Sequence, residues 1–216
     1  EWYQSWVARL ENVPVSMDTP EDVTSWIELV PTTKAIMDRW FSVNGGLERE
    51  AQQLIVQENN RDGNYARATD YYFCDMERAE NQVVVDGSER GLRFDLVGLH
   101  WPSTNASRRT ATGKTLVIAE AKYGDGAHAG GAGLVDHFQG LRAFVATEGR
   151  LAALKTAMVT SFQQKHALGL VNCQHQLESF SEDEAPLTWL LILINHDPEK
   201  RRLSEELESL RDHARD

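Results

Sequence analysis

The stretch Arg93-Phe-Asp-Leu-Val-Gly-Leu-His-Trp101, followed after a polar loop by Thr115-Leu-Val-Ile-Ala-Glu-Ala-Lys-Tyr123, decides the fold. Apolar residues occupy both alternating positions of each stretch. This pattern predicts strands that are covered on both faces and are therefore central in a sheet. Charged residues nevertheless interrupt it, with Asp95 in the first strand and Glu120 and Lys122 in the second. Because burying an unpaired charge costs several kcal/mol, these side chains need partners or a metal ion.

The segments around these two strands predict an α/β layered fold. The predicted elements, in chain order, are a helix at 47–59, strands at 71–79, 92–101 and 115–123, helices at 134–145 and 151–169, a buried strand at 187–195 and a helix at 198–216. Residues 82–88 are either a further extended piece or a loop, and residues 102–113 are a polar loop. The two central strands are expected to pair as an antiparallel hairpin. The pattern therefore predicts a mixed central sheet flanked by helices.

Residues 1–45 predict an additional helical segment in front of this core. Four tryptophans lie in it, namely Trp2, Trp6, Trp26 and Trp40. We interpret them as packing residues, with stacking on nucleic-acid bases as the alternative. Prolines, including Pro31, are expected to divide the segment into short helices. The predicted organisation is a helical segment at 1–45, a core at 46–196 and a C-terminal helix at 197–216.

Composition limits the class of protein. The 41% hydrophobic and 25% charged fractions of the 216 residues are typical of a soluble globular protein. No run of about 18 apolar residues is present, so no membrane association is expected, and the N-terminus lacks the pattern of a signal peptide. Two distant cysteines, Cys74 and Cys173, suit free thiols in a reducing compartment. A cytoplasmic location follows from these expectations.

The net charge of −11 argues against nucleic-acid binding by the surface as a whole. The acidic excess is unevenly distributed, because residues 61–122 carry nine basic and nine acidic side chains. A glycine-rich stretch at 124–133 lacks the Gly-Lys-Ser/Thr ending of a phosphate-binding loop. The balanced middle third therefore stays compatible with a local nucleic-acid site.

The three charged strand residues form a pattern that can carry chemistry. Glu120 and Lys122 are two positions apart, so their side chains leave the same face of the strand, and Asp95 can lie beside them. Two carboxylates supply the oxygen ligands that Mg²⁺ prefers. A lysine beside them can orient a metal-activated water or stabilise charge on a phosphate. The alternative is a structural ion pair between Lys122 and either carboxylate at the end of the sheet.

Arg93-Phe-Asp95 and Glu120-Ala-Lys122 resemble the two motifs of the PD-(D/E)xK, or restriction-endonuclease-like, nuclease superfamily, with Phe94 in the proline position. The predicted element order is also similar to the αβββαβ core of that superfamily, over residues 46–196. The resemblance implies a Mg²⁺-dependent nuclease in which Mn²⁺ can substitute, with DNA as the expected substrate. It implies that Asp95, Glu120 and the backbone carbonyl of Ala121 bind the metal and that Lys122 is catalytic.

The resemblance also implies helix residues at the site. An acid from the first helix is expected among the metal ligands, and we choose Glu50, with Glu48 and Glu58 as alternatives. A glutamine from the helix after the lysine is expected to be catalytic, and Gln139 occupies that place. Its neighbours Asp136 and His137 are further candidates.

Basic residues near the motifs are the expected contacts to substrate phosphates. Arg93 is close to Asp95, and the polar loop and its end contribute Arg108, Arg109 and Lys114. Asp75 and Glu77 can reach the site from the preceding strand or can form a solvated face. The partner is then a nucleic acid. The alternative function is a catalytically inactive nuclease-like domain that binds nucleic acid or protein, and a homodimer or partner protein stays open.

Overall fold

The computed structural model describes residues 23–44, 46–61, 69–109, 114–125, 133–180 and 187–214. The helices predicted before residue 23, including Trp2 and Trp6, and most of the glycine-rich stretch lie outside these ranges. The chain divides into two compact units, Glu1–Leu47 and Glu48–Asp216.

The first unit contributes one described helix, α1 (Val23–Val43). Pro31 lies inside α1, so the predicted break at this proline is wrong. A proline removes one backbone hydrogen bond and kinks a helix, but the neighbouring turns can continue it. The Thr33 hydroxyl donates to the carbonyls of Leu29 and Val30 in this turn, at 3.2 and 2.9 Å.

From Leu47 onward, helices and strands alternate much as predicted. The elements are α2 (Leu47–Asn60), β1 (Tyr71–Val85), β2 (Ser88–His100), α3 (Asn105–Arg109), β3 (Thr115–Tyr123), α4 (Leu134–Ala146), α5 (Arg150–Ala167), β4 (Thr188–Ile194) and α6 (Arg201–His213). Two details differ from the prediction. The extended piece at 82–88 largely belongs to β1, which is one long strand, and the loop at 102–113 contains the short helix α3.

The sheet has the order β1-β2-β3-β4. The first two pairs are antiparallel and the β3–β4 pair is parallel. The mixed sheet, the central position of β2 and β3 and their antiparallel pairing are therefore confirmed. β4 lies at the edge and is only half-buried, although its apolar sequence predicted a buried strand. An apolar run indicates that a strand can be buried on both faces. Whether it has one or two neighbouring strands depends on the topology of the sheet.

Two glycines shape the β1–β2 hairpin. Asp86 and Gly87 both have positive φ, 50° and 76°, which is the signature of a type I′ turn with the Asp-Gly sequence that favours it. Further along β2, a Cβ on Gly98 would lie 2.1 Å from the carbonyl oxygen of Tyr72. Only glycine allows β1 and β2 to approach so closely at this point.

Helices cover both faces of the sheet. On one face, strand residues that include Tyr72, Leu99 and Ile118 pack against α4 and α5 through Leu141, Phe144, Met158 and Phe162. On the other face, Phe73, Leu96, Val117 and Ala119 pack against Ile55 and Val56 of α2. Asp95, Glu120 and Lys122 thus lie in a layer that helices cover on both sides.

The ends of β3 and β4 are joined by polar contacts. The Asp125 carboxylate accepts a hydrogen bond from the backbone N–H of Asp197 at 2.9 Å and contacts His196 and Lys200. These contacts and the hydrogen bond lower the pKa of Asp125 to about 2, with the bond from Lys200 as the largest cause. No helix in the described ranges combines the length and apolar character needed to cross a lipid bilayer.

Candidate active site

Three buried charged side chains meet where the pairing of β2 and β3 ends. Asp95, Glu120 and Lys122 are 5%, 3% and 5% exposed. The last paired residues of the two strands are Leu96 and Ala119, and Asp95 and Glu120 follow directly beyond this pair. The sequence pattern predicted this juxtaposition, because the two strands are antiparallel neighbours.

At this point the Asp95 carboxylate takes the place of a backbone carbonyl as the hydrogen-bond acceptor for β3. The backbone N–H of Ala121 donates to Asp95 Oδ2 at 2.8 Å. The N–H and C=O groups of one strand residue leave on the same side. The Ala121 carbonyl, a predicted metal ligand, therefore points to the same side as Asp95.

Glu120 is held by two nitrogen atoms. Its Oε1 lies 2.7 Å from Lys122 Nζ and 3.0 Å from His137 Nδ1. Neither approach has hydrogen-bond geometry, so the buried Oε1 has ionic contacts but no hydrogen-bond partner among the described residues. Lys122 Nζ also lies 3.3 Å from His137 Nε2. Since an ammonium group can only donate, a hydrogen bond between them requires His137 Nε2 to accept, which leaves Nδ1, beside Glu120, as the ring donor.

The two carboxylates have pKa values shifted in opposite directions. Burial, followed by the nearby charge of Glu120, raises the pKa of Asp95 to about 7. Burial also acts to raise the pKa of Glu120, but contacts with His137 and Lys122 outweigh it and lower the pKa below the usual value. The metal-free site therefore holds one ionised carboxylate and one that readily keeps its proton near neutral pH.

The helix acid that reaches this site is Glu48. Glu48 Oε2 accepts from the backbone N–H of Tyr123 at 3.4 Å, and its charge contributes to the raised pKa of Asp95. Glu50, our first choice from the sequence, is exposed, and it lies about 200° around α2 from Glu48. Glu58 is paired with Arg61 at the other end of the helix, at 3.2 Å. The structure thus brings the alternative Glu48, and not Glu50, beside Asp95.

The α4 residue that contacts the buried trio of Asp95, Glu120 and Lys122 is His137. Gln139, predicted to be catalytic, makes no hydrogen bond to Asp95, Glu120 or Lys122 within the described parts of the chain. His137 falls on the buried stripe of α4, with the spacing of three and four residues that also holds Leu134, Leu141 and Phe144. That stripe was the available sequence signal for His137. Asp136 instead contacts Arg90 of β2.

The loop cations lie at the opposite end of β3. Lys114 precedes β3 by one residue, which places it about 20 Å along the strand from Glu120. Lys114 is 2% exposed, and its Nζ donates to Ser107 Oγ at 2.7 Å. Burial, together with the neighbouring Arg108, lowers the pKa of Lys114 to about 8.

Arg108 stacks over the Trp101 ring, with 4.8 Å from Cζ to the ring centroid, while Arg109 is exposed. The structure therefore does not bring Arg108, Arg109 or Lys114 to the three buried residues. In this fold, only an extended substrate could contact both ends of the sheet.

The acids of β1 are engaged by arginines. Asp75 and Glu80 contact Arg78 at 3.0 and 2.6 Å. Glu77 contacts two arginines, one of which is Arg93, a predicted phosphate contact close to Asp95. Neither Asp75 nor Glu77 joins the three buried residues through a hydrogen bond or ion pair in the described ranges.

The donor set suits a hard divalent cation. Asp95 and Glu120 offer carboxylate oxygens, and a cation between them would relieve the repulsion that, together with burial, raises the pKa of Asp95. Among the described residues, no cluster of three or more His, Cys, Asp or Glu side chains is arranged to hold a metal. A cation would therefore rest on Asp95, Glu120 and the Ala121 carbonyl, with water completing its shell. Mg²⁺ and Mn²⁺ both fit such oxygen donors.

Comparison of the chain with protein-family models, with curated proteins and with solved structures found no significant match.

Proposed function

We propose that this protein is a metal-dependent nuclease of the PD-(D/E)xK type, which hydrolyses phosphodiester bonds with DNA as its expected substrate. The observation that carries the proposal is the burial of Asp95, Glu120 and Lys122 together at the end of two adjacent central strands. A protein stabilised by apolar packing gains little from burying three charges in this layer, so the arrangement calls for a function. The order of α2, the four strands and the intervening helices supports a restriction-endonuclease-like core.

Each residue has a role that its position allows. Asp95, Glu120 and the Ala121 carbonyl would hold Mg²⁺ or Mn²⁺, which when bound supplies an acidified water and neutralises phosphate charge. Lys122 presents an ammonium group beside Glu120, where it can donate to the water or to a phosphate oxygen. His137 holds Glu120 and Lys122 in place.

The direct test is a cleavage assay with single-stranded, duplex, supercoiled and branched DNA and with RNA, in Mg²⁺ or Mn²⁺. We expect cleavage that EDTA abolishes and that Lys122→Ala reduces at least a hundredfold, on the order of what one positioned proton donor or electrostatic group contributes. Lys165→Ala is the control, because Lys165 is half-buried and its Nζ donates to the Cys74 carbonyl at 2.7 Å, but it lies on α5. Cleavage that persists both in EDTA and in the Lys122→Ala variant would contradict the proposed mechanism.

A second candidate is a nuclease-like domain without catalytic activity that binds nucleic acid or protein. The close contact of Lys122 with Glu120 favours it, because this ion pair satisfies both charges without a metal. Isothermal titration with Mn²⁺ separates the two. A site in the millimolar range or tighter that Glu120→Gln removes supports the nuclease, whereas a folded protein without such a site supports the binding module.

A further inference from the structure

Two arginines converge on one oxygen atom next to the three buried residues. Arg49 Nη2 donates to Glu77 Oε2 at 3.1 Å. Arg93 Nε lies 3.2 Å from the same Oε2. The three side chains come from α2, β1 and β2, so separate elements of the fold bring them together.

Two members of this cluster are close in sequence to residues at the candidate active site. Arg93 is two residues from Asp95, about 7 Å along β2. Arg49 follows Glu48, whose carboxylate contacts the backbone of Tyr123 and whose charge acts on Asp95. A chain of phosphates that passes the buried trio would also pass this pair of guanidinium groups.

The exposure of the three side chains permits exchange with a ligand. The arginine side chains are 37% and 59% exposed, and that of Glu77 is 20% exposed. Ion pairs with this much solvent contact contribute little to stability, so displacing the carboxylate costs little. Guanidinium groups bind phosphate through charge-assisted, often bidentate hydrogen bonds.

The backbone at Glu77 adds an independent observation. Its φ is 53°, in the left-handed region that a non-glycine residue in a strand rarely adopts. Such conformations are costly and persist where the surrounding structure fixes them, often at ligand-binding positions. The residue in this conformation is thus the one whose carboxylate contacts both guanidinium groups.

We propose that Arg49 and Arg93 form a phosphate clamp beside the catalytic trio and that Glu77 occupies this clamp until a nucleic-acid phosphate displaces it. The identity of the ligand rests on the proposed nuclease function. Glu77 then acts as an internal competitor, which lowers the affinity for nucleic acid and disfavours weak, nonspecific contacts.

The clamp is tested by binding rather than by cleavage. The affinity of the full chain for fluorescently labelled single-stranded and duplex DNA is measured by anisotropy in EDTA over a range of salt concentrations. We expect Arg49→Gln and Arg93→Gln each to raise Kd about tenfold and to reduce the salt slope by about one. We expect Glu77→Gln to lower Kd severalfold, because it removes the competitor and one negative charge.

Arg78→Gln is the matched control. Arg78 lies on β1 next to Glu77 and makes two ion pairs, with Asp75 and Glu80, so this substitution removes the same charge and at least as many contacts as either clamp variant. We expect its Kd to stay within about twofold of the wild-type value, as for a charge outside the contacted groove. The clamp is ruled out if Glu77→Gln binds no more tightly than wild type, or if Arg49→Gln and Arg93→Gln behave like Arg78→Gln.

Two further measurements keep the outcome clear. Thermal melting shows which variants are folded, and Arg49→Lys and Arg93→Lys, which keep the charge, must retain the wild-type salt slope. DNA binding that depends on Arg49 and Arg93, without metal-dependent cleavage, would contradict the proposed nuclease function but support the clamp. The clamp would be contradicted if the protein cleaves DNA but neither arginine substitution changes Kd. It would also be contradicted if the wild-type chain binds no DNA.

Discussion

Asp95 and Glu120 are neighbouring carboxylates that contribute to stability in opposite ways. The folded-state pKa of Asp95, about 7, is above its unfolded value of 3.8, so folding takes up a proton and this contribution to stability decreases as the pH rises from about 4 to 7. The pKa of Glu120 is lowered, so its contribution is present above its unfolded pKa of 4.5 and is lost as the pH falls.

The opposite pKa shifts of Asp95 and Glu120 predict different effects of two conservative substitutions on the stability of the metal-free protein. Asp95→Asn is expected to raise the free energy of unfolding by up to about 4 kcal/mol at pH 8 and by only about 1.6 kcal/mol at pH 5, where the carboxyl group is protonated in the folded state but ionised in the unfolded state. Glu120→Gln is expected to lower it at pH 8, because Lys122 and His137 lose their charged partner. Chemical denaturation in EDTA at both pH values measures this. Equal effects of Asp95→Asn at pH 5 and pH 8 would contradict the assignment.

His137 and Gln139 compete for one role on α4, and only His137 contacts Glu120 and Lys122. If the proposed nuclease activity is present, we expect His137→Ala to reduce kcat on the order of a hundredfold, because Glu120 and Lys122 lose the contact that positions them. His137→Asn can keep a donor at the Nδ1 position and should recover part of the rate. Gln139→Ala is the comparison. Steady-state kinetics in which Gln139→Ala loses more kcat than His137→Ala would restore the sequence-based choice.

At the level of elements, the β1–β2 pair depends on one glycine. A Cβ on Gly98 would collide with the backbone of Tyr72 and Phe73, at 2.1 and 2.7 Å, and backbone atoms cannot move aside as a flexible side chain can. We expect Gly98→Ala to cost about 3 kcal/mol, at the upper end of overpacking effects, and to lower Tm by about 10 °C.

Gly91→Ala provides the control on the same strand. A Cβ at Gly91 meets no atom within 4 Å, and its φ is not in the left-handed region. The melting temperature of this variant should stay close to that of wild type. Equal melting temperatures for Gly98→Ala and Gly91→Ala would show that the two strands are not held this closely.

β2 and β3 illustrate what an apolar pattern can and cannot specify. Their two-sided apolar character correctly predicted central strands, because only a central strand between two layers buries both faces. β4 has an equally apolar sequence but lies at the edge, half-buried. An apolar sequence indicates that a strand can be buried. Which strands lie beside β4 depends on the crossover through α4 and α5, and the local sequence of β4 does not encode that crossover.

At the level of the whole molecule, charge is segregated along the sheet. Asp95, Glu120 and the phosphate clamp lie at one end of β3, whereas Arg108 and Lys114 are packed around Trp101 at the other. With a net charge of −11, nucleic acid would be repelled by most of the surface. Binding therefore depends on a few positioned cations and should weaken steeply with salt.

Metal binding should stabilise the whole second unit, since its ligands come from two central strands. If the affinity for Mg²⁺ is millimolar, 10 mM Mg²⁺ adds about 1.4 kcal/mol and raises Tm by about 3–5 °C. Glu120→Gln should abolish this increase. Differential scanning fluorimetry with Mg²⁺, and with Na⁺ at equal ionic strength, measures it. An equal increase in Glu120→Gln would show that the cation binds elsewhere.

The sequence by itself determined the layers, the central pair of strands and the identity of the three buried charged residues. It could do so because alternation, apolar runs and two-residue spacing are local properties that a strand converts directly into faces. Tertiary structure alone decided that Glu48 rather than Glu50 lies beside Asp95, that His137 rather than Gln139 reaches Glu120, and that Arg108, Arg109 and Lys114 lie far from them. These outcomes depend on the rotation of α2 and α4 about their axes and on which end of β3 each loop occupies. Packing against the sheet fixes both, and no short motif records them.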